Sequence, residues 1–236
     1  MSAGKRINQL LLLSGGLDSW IAWHYLDRPA CAFININQRY LLKERNAIGA
    51  LCERYETLEV LNIEGPDIGH SECQDGYIPY RNLYLVFAAL PFSSRLAMGG
   101  VLGDSEDDNN PTFPNTVTQF LAHFGRNQKA TLEGPLYSLT KGEAVSWYLR
   151  NVGDVESLML TVSCYSPLPG PCGCCKSCFR RWVALEINDL TDNFAQSPWL
   201  APVAEVQKER VRRGQFPEKR AAETILAFRK RGICIA

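Results

Sequence analysis

The chain has 236 residues, 46% hydrophobic and 21% charged, a globular composition that excludes both a disordered chain and a small disulfide-stapled fold. Lys and Arg number 25 and Asp and Glu 25, so the whole-chain charge calls for neither nucleic acid nor an anionic membrane as partner. The early apolar run Leu10–Leu13 is four residues long, against roughly 20 for a membrane span, and no export signal is read; the expected location is cytoplasmic.

Ile7 to Leu13 reads as a buried strand, Ser14 to Ser19 as a glycine turn and Trp20 to Leu26 as a helix. Cys31 to Ile36 is a second strand, Glu44 to Tyr55 a helix through Ala47, Ile48 and Leu51, and Leu58 to Ile63 a third strand. This alternation predicts an α/β fold, a parallel sheet with helices on both faces. Glu64 to Tyr80 is polar and long for a structureless connection, and reads as a substrate lid. Helical spacing runs from Asn82 to Leu96, a glycine-containing strand candidate from Leu96 to Leu102, and an acidic loop carries Asp104, Glu106, Asp107 and Asp108. Thr118 to Phe124 and Lys141 to Asn151 are further helices, the second with Thr140 as N-cap and Glu143 three residues on. Phe179 to Ile187 and Glu218 to Arg231 complete the helices. From Glu205 onward nine Lys and Arg oppose four Glu, a local charge of +5. The predicted division is 1–160 for an α/β nucleotide-binding domain and 161–236 for a cysteine loop and helical region.

Two motifs carry chemistry. Ser14-Gly15-Gly16-Leu17-Asp18-Ser19 lies between a strand end and a helix N-terminus, where free N–H groups and the helix dipole favour an anion. The glycines allow close backbone approach, the two serines can donate to phosphate, and Asp18 beside a phosphate implies Mg²⁺ or a loop-orienting role. No lysine follows the glycines, so this is not a kinase-type phosphate loop. Of nine cysteines, Cys164, Cys172, Cys175 and Cys178 have paired spacing that suits one tetrahedral Zn²⁺ in a closed, structural site, with Cys174 to spare. An iron–sulfur cluster and redox chemistry are the competing uses. Cys31, Cys52, Cys73 and Cys234 read as small packing residues or plain thiols.

The hexapeptide resembles the SGGxDS loop of the PP-loop ATP pyrophosphatases, which adenylate a carbonyl or carboxyl oxygen. Over nearly its whole length the chain resembles the QueC, or 7-cyano-7-deazaguanine (preQ0) synthase, family. The supporting segments are Asn37-Gln38-Arg39-Tyr40 with Glu44, Pro79-Tyr80-Arg81-Asn82, Pro135-Leu136 with Lys141 and Glu143, and Ser163-Cys164-Tyr165 followed by Cys172 to Cys178. The resemblance implies a HUP-like sheet and an AMP-forming carbon–nitrogen ligase acting on the carboxylate of 7-carboxy-7-deazaguanine, first to an amide and then to the nitrile. It implies that Ser14, Gly15, Gly16, Leu17, Asp18, Ser19, Gln38 and Asn82 bind ATP with Mg²⁺. Asp18, Arg39, Arg81 and Lys141 are then catalytic, and the protein is a homodimer.

Two departures stand out. Phe113-Pro114-Asn115-Thr116-Val117 replaces the family's Y-P-D-C-R, and Tyr80 replaces a glycine. The amine is therefore open, either ammonia or, as in QueC-like proteins of antiphage operons, a protein amine that the basic tail would help to dock. The guanine-like edge would be met by Asn115 or by the Asp104–Asp108 run. PP-loop tRNA thiolation and nucleotide sensing are rival uses of the same loop.

Overall fold

The computed structural model describes residues 7–74, 76–104, 108–125 and 129–235. Among them five strands, β1 (Leu10–Leu12), β2 (Ala30–Asn35), β3 (Val60–Glu64), β4 (Arg95–Met98) and β5 (Thr131–Glu133), form one sheet in the order β3-β2-β1-β4-β5. Every pairing is parallel, as strands joined by helical crossovers require. The crossovers carry α1 (Leu17–Tyr25), α2 (Leu41–Arg54), α3 (Arg81–Ala89) and α4 (Phe113–Phe124).

Strand alternation sends side chains to two apolar layers. Leu11, Cys31, Phe33 and Ala97 pack with α1, α2 and α5 (Lys141–Asn151), whereas Leu10, Leu12, Ile34 and Met98 pack with α3 and α4. The α/β expectation with helices on both faces therefore holds. The chain continues through α6 (Val155–Leu160), α7 (Lys176–Glu186), α8 (Pro202–Arg212) and α9 (Glu218–Lys230). Phe179 and Trp182 on α7 pack against Ala204 of α8 and Phe228 of α9, while Ala184 and Leu185 join the layer under the sheet. No helix among the described residues is long and apolar enough to cross a membrane.

Several boundaries differ from the pattern, each for a local reason. Leu17, Asp18 and Ser19 belong to the first turn of α1 and not to the preceding loop. The helical spacing after Asn82 stops at Ala89, because Pro91 cannot supply the next N–H. β4 ends at Met98: a Cβ on Gly99 would sit 2.6 Å from Ser19 Cα, so glycine alone lets the strand end meet α1. α4 begins at Phe113, five residues before Thr118, with Pro114 in its first turn. The short β5, together with α6 and α8, escaped the periodicity argument. The segment 64–80 is fastened by Ile68 and Ile78, both buried in the core, and by a 3₁₀ turn at Gly69–Ser71.

Candidate functional site

At β1 the sheet order reverses, since β2 continues on one side and β4 on the other. Such a point leaves a crevice beyond the strand carboxyl ends. There a cavity of about 270 Å³ is lined by the β1–α1 turn, the end of β4, α5 and α7.

The turn is held tightly. Gly15 has φ +70°, a left-handed conformation suited to glycine, and its carbonyl accepts the Val162 N–H at 2.9 Å. Ser14 and Ser19 hydroxyls lie 3.3 Å apart, and the Ser19 hydroxyl donates to the Gly16 carbonyl at 3.0 Å. Gly16 is the N-cap of α1 and no side chain caps the helix, so N–H groups of the first turn are left for a ligand. Asp18, one turn in, pairs through Oδ2 with the Lys141 ammonium at the start of α5. Its other oxygen, Oδ1, is buried with no hydrogen-bond partner.

Lys141 is presented by a capping box: the Thr140 hydroxyl accepts the Glu143 N–H at 3.1 Å and Glu143 accepts the Thr140 N–H at 2.8 Å. Burial lowers the Lys141 pKa, which Asp18 opposes and Arg180 reinforces. Asp104 accepts the Val101 N–H at 3.0 Å and pairs with Arg180. Burial disfavours its charge, but Arg180 and Lys141 outweigh that and hold its carboxyl below the ordinary value.

A second polar group lies where α2 and α3 begin. Gln38 donates to Glu44, and Arg81 donates to the Tyr40 hydroxyl at 3.0 Å. Burial pushes the Glu44 carboxyl up to about 7, although the Gln38 hydrogen bond and the Arg81 charge pull it down. Asn82 lines the cavity but commits its backbone N–H to Asp108 Oδ2 at 2.9 Å and its side-chain amide to the Asp108 carbonyl at 2.6 Å. Between these groups Leu12, Ala32, Ile34 and Met98 form an apolar wall.

Ser14, Gly16, Leu17, Asp18, Ser19, Gln38, Arg81, Asn82 and Lys141 thus share one cavity. Arg39 stands apart, paired with Glu72 at 2.8 Å and reaching the Gln74 carbonyl at 3.3 Å. Tyr80 takes a left-handed conformation at φ 58° and is 66% exposed, the backbone geometry a glycine would adopt without strain. Asn115 is exposed on α4, and of the acidic run Asp104 reaches the cavity while Glu106 and Asp107 fall outside the described residues. Arg180, Arg210, Arg220 and Tyr165 also line it. Tyr165 belongs to the Ser163-Cys164-Tyr165 segment of the family resemblance; the three arginines escape the sequence reading because, on separate helices, they have no common spacing. The basic tail is mostly neutralised: Arg213 pairs with Glu209, Lys219 with Glu143, Lys230 with Asp189 and Arg231 with Glu186. A free cationic docking surface is therefore much smaller than the charge count suggests.

Beside the cavity the Sγ atoms of Cys164, Cys172, Cys175 and Cys178 all lie within 4.8 Å of one another, a group that could hold a metal ion. Lys43 Nζ is 3.3 Å from Cys164 Sγ and donates to the Gly170 carbonyl at 2.7 Å. Hydrogen bonds from the Cys175 and Cys178 thiols, then from the Cys172 and Ser166 N–H groups, hold Cys164 well below the usual thiol range. Cys174 is exposed and outside the group, as the spacing implied.

The family model for QueC, queuosine biosynthesis protein QueC, matches residues 49–189. A 7-cyano-7-deazaguanine synthase of Chlorobium limicola is 23% identical over 215 residues, covering 78% of this chain and 94% of that protein. The protein of the same name from Koribacter versatilis is 28% identical over 227 residues, covering 81% and 94%. Among solved structures, the U34-tRNA thiolase NcsA from Methanococcus maripaludis, with its 4Fe-4S cluster, aligns over 95% of this chain and 73% of that one. The identity is 13% and the TM-score 0.37, too loose a likeness to carry an argument. The family match spans well over half of the sequence, and the chain belongs to the QueC family.

Proposed function

We propose that this protein is an ATP-dependent ligase that adenylates the carboxylate of 7-carboxy-7-deazaguanine and transfers the acyl group to an amine. The observation that carries this reading is the Asp18 carboxylate, with one oxygen on Lys141 and the other buried and unpartnered at an uncapped helix N-terminus. A buried carboxylate oxygen without a partner is costly, and a divalent cation beside a phosphate would satisfy it. The name of the curated relatives, 7-cyano-7-deazaguanine synthase, supports a deazaguanine ligand.

In the first step a carboxylate oxygen attacks the α-phosphorus of ATP, and the bond to the pyrophosphate oxygen breaks. Repulsion between two anions is the main obstacle, so fixed positive charge favours the transition state over the separated reactants. Lys141 supplies such a charge beside Asp18, and Arg81, which also lines the cavity, supplies another. The N–H groups of the Gly16–Ser19 turn and the Ser14 and Ser19 hydroxyls would bind pyrophosphate oxygens. Mg²⁺ held by Asp18 would neutralise phosphate charge. The apolar wall of Leu12, Ala32, Ile34 and Met98 suits a planar base, and Gln38 with Glu44 offers a donor and an acceptor for a guanine-like edge.

In the second step the amine nitrogen attacks the acyl carbon, AMP leaves with the bonding pair, and the nitrogen loses a proton, giving the amide. A second ATP then adenylates the amide oxygen, with release of pyrophosphate and one N–H proton, and departure of AMP with loss of the remaining N–H proton gives the nitrile. The four cysteines would hold Zn²⁺: thiolates about 2.3 Å from one ion stand about 3.8 Å apart, close to the 3.8 Å between Cys172 Sγ and Cys178 Sγ. Such a closed site is structural and leaves the chemistry to the cavity.

The test is mass spectrometry after incubation with ATP, Mg²⁺, 7-carboxy-7-deazaguanine and ammonium. AMP with nitrile, or AMP with amide alone, is the expected class of result, and the two distinguish whether the second activation occurs. Absence of AMP and of any acyl product overturns the reading.

A further inference from the structure

Three successive helices each send one arginine to the same cavity wall: Arg180 from α7, Arg210 from α8 and Arg220 from α9. Arg180 is matched by Asp104. The other two are differently placed. Their guanidiniums lie over the buried Phe216 ring, 4.7 Å from its centroid for Arg210 and 3.9 Å for Arg220. Among the described residues no carboxylate oxygen comes within 4.0 Å of either group, while four other cations from Arg213 to Arg231 have one. Most outward cations of the tail are thus paired, whereas the two that line the cavity are not.

Arg220 is also positioned on purpose by its surroundings. It donates through Nη1 to the Gly103 carbonyl at 2.6 Å, and a Cβ on Gly103 would meet Arg220 Cδ at 2.8 Å. Gly103 has φ +90°, so a larger residue there would be strained and would also press on Arg220. Burial, and then the charges of Arg180 and Arg210, push the Arg220 pKa down to about 9. Asp104 and Glu223 pull the other way without offsetting this, and Asp104 is committed to Arg180, so two neighbouring guanidiniums in a partly desolvated cavity complement an anion that arrives with a ligand.

We propose that Arg210 and Arg220 form an oxyanion subsite, built by the α8–α9 pair beyond the end of the family match at Asp189, that binds a phosphate or carboxylate of a cavity ligand. A planar guanidinium can grip either group through two N–H donors, and both guanidiniums rest against the Phe216 ring. The two sources are the outer phosphates of ATP and the carboxylate of the deazaguanine. The proposal rests on the functional reading only for this choice of ligands.

The experiment measures binding of ATP, inorganic pyrophosphate, AMP and 7-carboxy-7-deazaguanine to the full chain, its R210Q, R220Q and double variants, and R229Q on the exposed side of α9 as control. Thermal unfolding is recorded for each. A tenfold or greater loss for ATP and pyrophosphate with AMP unchanged assigns the subsite to the outer phosphates. The same loss for 7-carboxy-7-deazaguanine alone assigns it to the carboxylate, and either result supports the proposal. Wild-type affinity for every ligand in a double variant of unchanged melting temperature overturns it, as does equal weakening of all four ligands. If R220Q melts early through loss of its Gly103 bond, R210Q, which has no such bond, gives the answer. Failure of the wild-type protein to bind ATP would instead strike the functional reading, and the pyrophosphate and carboxylate arms would still decide this one.

Discussion

Two irregular segments border the cavity, and they are held by opposite means. The β1–α1 turn is fixed by the core around it: Gly15 is pinned by the Val162 N–H at 2.9 Å, and a Cβ there would come 3.0 Å from the Glu44 carbonyl. From Thr161 to Cys175 the chain has neither helix nor strand. It is turned by four converging sulfurs and by Gly173, whose missing side chain lets it press on the Gln196 carbonyl. Under the proposed function, the phosphate site is preorganised by packing and a backbone hydrogen bond, whereas the cysteine segment would be held by a bound metal. That contrast predicts which changes unfold the protein and which only stop its chemistry.

The largest effect is expected from Cys175→Ser. Zinc sites contribute apparent energies of about 10 to 16 kcal/mol in small modules, and even a fraction of that exceeds the margin of an ordinary domain. Metal analysis and thermal melting should show metal-poor, early-melting or insoluble protein. A metal-replete variant with the wild-type melting temperature would show that the segment is held without the fourth sulfur. Asp18→Asn should do the reverse. It keeps a hydrogen-bonding group for Lys141 and removes the charge, so AMP formation should fall by about 10²-fold or more with metal content and melting temperature unchanged. Wild-type turnover would remove Asp18 from the mechanism.

The two segments also differ in how well they could be read in the sequence. Local rules suffice where one element contains the whole device. The Ser14–Ser19 turn, the Thr140–Glu143 cap and the four-cysteine spacing each sit within fifteen residues, and each reads directly. The parallel order was legible as a class, because buried apolar strands alternating with helices leave few alternatives. What local rules do not reach is what only the third dimension assembles. Arg39 shares a motif with Gln38 yet turns away to Glu72, since consecutive residues there face opposite sides. Arg180, Arg210 and Arg220 meet across three helices, with nothing in their spacing to announce it. β5, three residues long, carries too little periodicity to be seen.

The rigid side of the comparison can be sharpened by pH. His24 is buried against Trp20, Trp23, Tyr55 and Tyr148, with Nε2 unpartnered; burial and then the Arg28 charge lower its pKa from 6.5 to about 4, against the pull of Asp154. The unfolded chain then takes up the proton first, so this stability is present above pH 6.5 and is lost as pH falls toward 4. Glu44, raised from 4.5 to about 7 by burial with Arg81 and Glu72 nearby, runs the other way: its contribution is present below pH 4.5 and lost as pH rises toward 7. Each is worth at most about 3 kcal/mol at 1.36 kcal/mol per pKa unit. Between pH 4.5 and 6.5 the two slopes oppose each other. Denaturant melts should therefore show His24→Phe removing the acid-side loss and Glu44→Gln removing the loss toward neutrality. Parallel curves for wild type and both variants would mean that neither group titrates with folding.

The smallest effect tests how the packed wall passes its order to the chemistry. Thr140→Ala removes the hydroxyl that accepts the Glu143 N–H and that also donates to Glu223 on α9. An N-cap of this kind is worth about 1 kcal/mol, so unfolding should become easier by that amount. Lys141 is the first residue of the helix so capped, and fraying of that turn would let its ammonium leave Asp18. A roughly twofold rise in the KM for ATP with little change in kcat is the expected signature, reversed by Thr140→Ser, which restores the oxygen. Loss of stability without any change in KM would mean that Asp18 holds Lys141 by charge alone and that the cap serves only the helix.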